Sequence, residues 1–440
     1  MYRLILMAAL VVRIAAAFVW QSKIDAENKL FAFGDSQTYW VLAEKIADGR
    51  PYDYAGPSSR IFRAPVYPIF LAPATWLNDR LAVLVARIAG CLLGVCSVGL
   101  VMLAAFHIAG RPAAIFAGCL AAIYPGAIGM SIFILSEAVF CPLFLACLIA
   151  WQVSIEKKSS IYWAAFSGIA CALATLARPS WLLWTGLLAV GSVLVCWLTK
   201  DESIAKSDRF RFVFLRLMLF AASMSATMAP WWFRNYQITG RFVPTTLQVG
   251  ASLYDGLHSG ASGASDEGMA FSNPFELELR AEDEKKTSAS THLPDQRKTT
   301  EDTFEWRLNQ RLLNAAITWT VENRSDTLRL AMVKFAKMWS PWPTAKELGG
   351  AWIRIAESVV YIVIVGWAAF ALWSAGQLRR KMMLYASPAI YFAALHMVFV
   401  GSVRYRQPAI LALCVVAGIG AAWMLERIKK PNSISLTGKP

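Results

Sequence analysis

Long apolar runs alternate with short polar connections along most of this chain. Runs long enough to cross a bilayer fall near residues 3–20, 81–106, 113–133, 137–155, 161–177, 181–198, 212–231, 352–375, 383–401 and 408–425. A membrane helix needs roughly 20 such residues, and only helices or closed barrels satisfy their backbones in lipid. The pattern therefore predicts an all-α polytopic membrane protein with about ten transmembrane helices. Two polar stretches interrupt the rhythm, at 21–79 and 232–350. They divide the chain into an N-terminal membrane module (1–231) that carries the first loop, a large second loop (232–350), and a C-terminal membrane module with its tail (351–440). The opening segment "MYRLILMAALVVRIAAAFVW" reads as an uncleaved first helix, because Arg13 interrupts the apolar run.

The first loop has its own pattern. In "FGDSQTYWVLAEKIADGR" the residues Tyr39, Leu42, Ala43 and Ile46 recur at helical spacing, which predicts an amphipathic surface helix over 36–48. Asp35 stands just before it, a favoured N-cap type. "RIFRAPVYPIF" follows, with Arg63 at its centre and Pro65 and Pro68 shaping a re-entry into the membrane. In the second loop, 258–274 is rich in Gly and Ser and reads as mobile, and "ELELRAEDEKKTSAS" reads as a solvated charge run. Residues 301–321 and 325–339 read as helices. The latter carries Leu328, Met332, Phe335 and Trp339 on one side and, with Trp342, suits the membrane interface plane.

Composition agrees. Of 440 residues, 57% are hydrophobic and only 16% charged, with a mean hydropathy of +0.46, too little charge to clothe a soluble protein of this length. The net charge of +14 does not point to nucleic acid, because the cations gather in alternate connections. These hold Arg111; Lys157 and Lys158; Lys200, Lys206, Arg209 and Arg211; Arg379, Arg380 and Lys381; and, in the tail, Arg427, Lys429 and Lys430. The positive-inside rule then places both termini in the cytoplasm of a multi-pass cell (inner) membrane and both long loops outside. All eight Cys lie in apolar runs, which predicts no disulfides in the loops. The four His lack ligand spacing, which argues against a zinc site.

One set of charges breaks the rule. The outward turns hold Arg178 in "LARPSW", Arg234 in "APWWFRNYQITG", and Arg404 and Arg406 in "GSVRYRQPAI". Charges at membrane depth cost several kcal/mol unless paired, so these are functional candidates, with snorkelling to headgroups as the plain alternative. With Arg63 they form a set suited to a phosphate at headgroup depth. Two carboxylates share that side: Asp35, and Glu137 in "ILSEAVF", which also suits the N-terminus of its helix. A carboxylate able to accept a proton and arginines able to hold a leaving phosphate are the elements of a group transfer. The sequence has no P-loop, GxGxxG, DxD or nucleophilic Ser or Cys motif. Trp231 and Trp232 read as an interface belt.

Five places together resemble the GT-C membrane glycosyltransferases, in particular the branch of protein O-mannosyltransferases and lipid A aminoarabinose transferases. They are Asp35 with Tyr39 and Ala43, ending in "DGRPY"; "RAPVYP" from Arg63 to Pro68; "LSE" ending at Glu137; "LARP" with "PWWFRNYQITGRFVP" and "GASLYDG"; and "RYRQP" from Arg404 to Pro408. The resemblance implies a GT-C bundle and a polyprenyl-phosphate sugar donor. It implies inverting transfer to an acceptor glycan, lipid or protein on the outer face, with Asp35 as catalytic base. Arg63, with Tyr67 in the same motif, is then the donor phosphate contact, and Arg404 and Arg406 are further contacts. Tyr39, Glu137, Arg178, Arg234 and Asn235 complete the candidate site. Relatives often carry a second acid beside the first aspartate, whereas Gly34 and Ser36 flank Asp35 here. No metal or other cofactor is therefore expected. Competing readings are a transporter or flippase of a lipid-linked glycan, which predicts polar residues at both faces or the midplane, and a pyrophosphate-donor polymerase or ligase, which places its key residues in a late loop.

Overall fold

The computed structural model describes residues 1–56, 59–156, 160–198, 206–266, 269–290, 303–343, 350–374 and 376–429. Lys157, Lys158, Lys200 and Lys430 lie outside the described residues. The described chain is helical and has no strand. Every predicted apolar segment falls on helix. α1 is Tyr2–Ala26, α4 Asp79–Ile123, α6 Glu137–Ser154, α7 Tyr162–Ala177, α8 Trp184–Leu198, α9 Lys206–Thr239, α14 Ala351–Ser374, α15 Arg379–Val398 and α16 Val403–Lys429. Between them run α2 (Gly34–Ala47), α3 (Val66–Leu71), α5 (Pro125–Ile132), α10 (Val249–Gly256), α11 (Asn273–Ser290), α12 (Phe304–Glu322) and α13 (Arg324–Trp339).

Among the described residues, seven helices are both long and apolar enough to cross a membrane. The difference from about ten has local causes. α4 is 45 residues long and joins the predicted span 81–106 to the first half of 113–133, across Ala109 and Gly110, which leave helical geometry. Gly110 sits at φ 74°, a backbone state open to glycine and costly for other residues. α7 has only 16 residues, and α15 begins with Arg379, Arg380 and Lys381.

The bundle is organised around α16, which packs on α4, α14 and α15. Its residues 406–420 are buried on every side, as expected for a helix apolar all round. Gly418 lets α4 come close: a Cβ there would lie 2.5 Å from the Ala117 Cβ and backbone nitrogen.

α4 ends at Ile123, capped by Tyr124 just before Pro125, and its last carbonyls need donors. Arg13, buried on α1, supplies them, donating to the carbonyls of Ala121 (3.2 Å) and Ala122 (3.3 Å) and to the Ser131 hydroxyl (3.2 Å). The residue that interrupts the first apolar run is therefore held inside the bundle. Arg87 acts similarly, donating to the Ile132 carbonyl (2.6 Å) and to Gln21 (2.9 Å).

In the second loop, α13 turns Leu330, Lys334 and Met338 inward, while Leu328 and Met332 are exposed and Trp339 is half-buried. The apolar stripe read from the sequence thus points mostly away from the protein. Stretch 258–266 is tied down by hydrogen bonds: Ser265 and Asp266 donate to Asp255, Lys337 to the Ser262 carbonyl, and Gly401 N–H to the Gly263 carbonyl.

Replacing Gly418 by Val would force α4 and α16 apart at their closest approach. The expected loss is about 1–3 kcal/mol of stability, read as a lowered melting temperature of the detergent-solubilised protein.

Candidate active site

The first-loop helix starts earlier than the sequence suggests. Its N-cap is Phe33, and Asp35 lies within its first turn. The expected N-cap role is corrected accordingly: no side-chain cap bond forms at this terminus, and the Asp35 carboxylate faces Arg63 and Arg404 instead. A carboxylate in the first turn still gains from the positive end of the helix.

Four elements deliver the remaining groups. Arg63 comes from the loop before α3. Glu137 is the first residue of α6, after a kinked stretch at 133–136. Arg178 directly follows α7. It is extended (φ −142°, ψ 99°), as a residue before proline prefers, so Pro179 both ends α7 and swings Arg178 aside. Arg404 sits in the first turn of α16.

Together they form one alternating chain of charge. Arg63 Nη2 donates to Asp35 Oδ1 at 2.5 Å, and Arg404 Nη1 donates to Asp35 Oδ2 at 2.8 Å. Arg404 also grips Glu137, with Nε to Oε1 at 2.6 Å and Nη2 to Oε2 at 3.3 Å. Arg178 Nη1 reaches the same Oε1 at 2.6 Å. At the far end Arg63 donates to Gln248 Oε1 (3.0 Å) and Thr38 Oγ1 (3.3 Å). Three arginines face two carboxylates, leaving one net positive charge. The carboxylates differ in access: the Asp35 side chain is 34% exposed, that of Glu137 only 1%. Crowding strips water from Asp35 and opposes its ionisation. The guanidiniums of Arg63 and Arg404 outweigh that and hold the carboxyl well below the usual range. Burial likewise opposes the charge of Arg63, and Asp35 outweighs it, raising the guanidinium pKa.

Aromatic rings floor this chain. Tyr39 meets Tyr67 edge to face at 5.0 Å and lies under the Arg63 guanidinium at 5.0 Å. Arg178 lies over Tyr405 at 5.3 Å, and Tyr405 stacks on His396 at 4.3 Å.

Three of the expected residues stand elsewhere. Arg406 is two positions beyond Arg404, which on a helix turns it by about 200°. It points between α13 and α14, donating to the carbonyls of Met338 (3.1 Å) and Ser340 and lying over the Tyr361 ring at 3.8 Å. Its carboxylate neighbour there is Glu357 at 3.7 Å, so it does not share a ligand with Arg404. Arg234 donates to the carbonyls of Tyr52 (2.9 Å) and Arg60 (3.1 Å), and Asn235 to those of Val243 (3.1 Å) and Thr245 (3.3 Å). Both tie loop backbone to α9.

The sequence reading missed Gln248 and Glu305. Glu305, buried on α12, accepts the Ile61 N–H on both oxygens at 3.1 Å, two residues before Arg63. Leu247 N–H donates to the Ile61 carbonyl on the other side. No local pattern marks either residue, since both partners lie about 180 or more positions away in the chain.

Neither a known family profile nor a curated protein matches the sequence. The fold does match solved structures. The archaeal oligosaccharyltransferase AglB from Archaeoglobus fulgidus, in complex with an inhibitory peptide and a dolichol-phosphate, aligns over 96% of this chain and 51% of its own, with a TM-score of 0.54 and 13% identity. The apo form of the Archaeoglobus fulgidus oligosaccharyltransferase aligns over 97% and 52%, with a TM-score of 0.53 and 13% identity. ArnT from Cupriavidus metallidurans bound to undecaprenyl phosphate aligns over 95% and 78%, at a TM-score of 0.41 and 15% identity. The chain spans about half the length of the oligosaccharyltransferases it matches. The chain shares its fold with these archaeal oligosaccharyltransferase structures.

Glu305 makes a pH signature. Burial pushes its carboxyl up to about 7, against the backbone N–H groups of Ile61 and Arg60 and the guanidiniums of Arg234 and Arg60, which favour the anion. Because the folded value is raised, its contribution to stability is fully present below about pH 4.5 and is lost as pH rises through about 7. Glu305→Gln keeps an acceptor for Ile61 and removes the titration. The melting temperature of wild type relative to this variant should therefore fall across that window.

Proposed function

We propose that this chain is an integral membrane glycosyltransferase that moves a sugar from a polyprenyl-phosphate donor to an acceptor hydroxyl. The observation that carries the reading is the unequal access of two carboxylates along one arginine chain. Asp35 is reachable and stands between two guanidiniums, while Glu137 is sealed behind Arg404 and Arg178. Only Asp35 can meet a substrate, so it is the base, and Glu137 is the buried counter-ion that holds the arginines. Buried ion pairs contribute little net stability, so a network of this extent at one end of a membrane bundle favours a functional role.

The reaction follows from these positions. The acceptor O–H gives its proton to Asp35 while its oxygen forms a bond to the anomeric carbon. The bond from that carbon to the phosphate oxygen breaks, and its electron pair stays on the phosphate. Arg63 and Arg404 stabilise the charge gained by the leaving prenyl phosphate. A single direct displacement inverts the anomeric centre. The net single positive charge of the site suits the one negative charge of a phosphodiester donor better than a pyrophosphate. Arg404 already bridges the two carboxylates, which supports a reaction that needs no metal. Support also comes from the shared fold with an oligosaccharyltransferase that was solved with a dolichol-phosphate. The Lys and Arg asymmetry of the connections supports a site on the outer face, where the membrane helices would hold the prenyl chain.

Among the described residues, the buried Arg13 and Arg87 donate to helix-end carbonyls rather than lining an open path, which gives a flippase little to use.

The test uses purified protein in lipid with polyprenyl-phosphate hexoses and pentoses, following release of free polyprenyl phosphate. Asp35→Asn should lower release by about 10²–10⁴-fold while inserting and melting normally, and chelator should leave wild-type turnover unchanged. Arg63→Ala should raise the KM for donor far more than it lowers the melting temperature. Undiminished release by Asp35→Asn would remove the base assignment.

A further inference from the structure

The same N–H groups that would bind the donor phosphate are the ones that hold the base. Asp35 Oδ1 is taken by Arg63 Nη2 and Oδ2 by Arg404 Nη1. A carboxylate held by two guanidiniums is a weak base, and an arginine N–H spent on a carboxylate is not free for phosphate. Both arginines, however, are anchored by other edges. Arg404 keeps Nε and Nη2 on Glu137, which is closed to solvent and also held by Arg178. Arg63 keeps Nη1 on Gln248 and Nε on Thr38. Each guanidinium therefore has an anchored side and an exchangeable side, and both exchangeable sides meet at Asp35, the more exposed carboxylate.

We infer that the donor phosphate itself arms the base: it takes the two N–H groups that Asp35 holds at rest and so frees the Asp35 carboxylate for the acceptor's proton. The exchange needs no backbone movement, since the anchored edges keep both arginines in place. The charged and titratable groups facing Asp35 are Arg63 from the first loop, and Arg404 and Tyr405 from α16, with Glu137 beyond Arg404 and Tyr39 on Asp35's own helix. When phosphate draws off the two guanidiniums, no other cation of this set remains on the carboxylate, and its affinity for a proton rises. Glu137 then acts as a positioning residue, working through Arg404.

This inference rests on the donor reading above, and the experiment separates the two. A short-chain polyprenyl phosphate is titrated into wild type and Asp35→Asn in nanodiscs. Asn removes the competing charge and keeps the shape, so the catalytically impaired variant should bind the lipid phosphate about tenfold more tightly, the scale of one charge-assisted hydrogen bond no longer exchanged. Binding to both proteins with equal or weaker affinity in the variant overturns the inference and leaves the donor reading standing. Binding to neither overturns the donor reading and the inference with it. A second measurement needs only wild type. The acid limb of kcat, which reports the donor complex, should lie at higher pH than that of kcat/KM, which reports the free protein. Coincident limbs, or the reverse order, overturn the inference even where the variant fails to fold.

Discussion

The guanidinium of Arg404 bridges two carboxylates that the chain supplies 102 residues apart, Asp35 from the first loop and Glu137 from the start of α6. Without that bridge, two anions would face each other at one end of a membrane bundle, where water is scarce and like charges repel strongly. With it, the first loop, α6, α7 and α16 are tied by charge at a single point. The bridge also fixes the charge state of the cluster, because Arg63 and Arg404 together neutralise Asp35.

The support of this point is distributed through loops rather than the bundle. Ile61 is clamped between Glu305 of α12 and Leu247, and Arg234 holds the carbonyls of Tyr52 and Arg60. Arg63 is then aimed by Gln248. The second long loop therefore supports the first. It fixes the backbone on which the first loop presents its arginine, so changes far along the chain reach the site through backbone hydrogen bonds.

The other buried cations follow a different logic. Arg13 and Arg87 sit among helix-end carbonyls near the breaks around Tyr124 and Ile132. In lipid an unpaired carbonyl costs several kcal/mol, so a buried guanidinium with several donors is a reasonable solution where a helix stops at membrane depth. The contrast separates two uses of arginine in one bundle: backbone satisfaction deep inside, and carboxylate pairing at the loop-bearing end.

Apolar run length and spacing decide much of this in advance. Each helix of the bundle, the first-loop helix and two helices of the second loop, α12 and α13, are visible in sequence, because burial in lipid or against a core imposes a local period, whereas α10 and the charged α11 carry no such stripe and do not read as helices. Residue chemistry likewise singles out Asp35, Arg63, Glu137, Arg178 and Arg404, since unpaired charges at the end of a span are expensive and so conspicuous. What sequence could not decide is partnership. Arg404 and Arg406 look equivalent in "RYRQP", yet only one faces Asp35, because helix start and rotation choose the direction of each side chain. Asp35 looks like a cap, yet α2 begins before it and its carboxylate goes to arginines from distant elements. Gln248 and Glu305 carry no local signal at all. Their roles exist only once the chain is folded, because a hydrogen bond between residues some 200 positions apart depends on where the helices cross rather than on any periodicity along them.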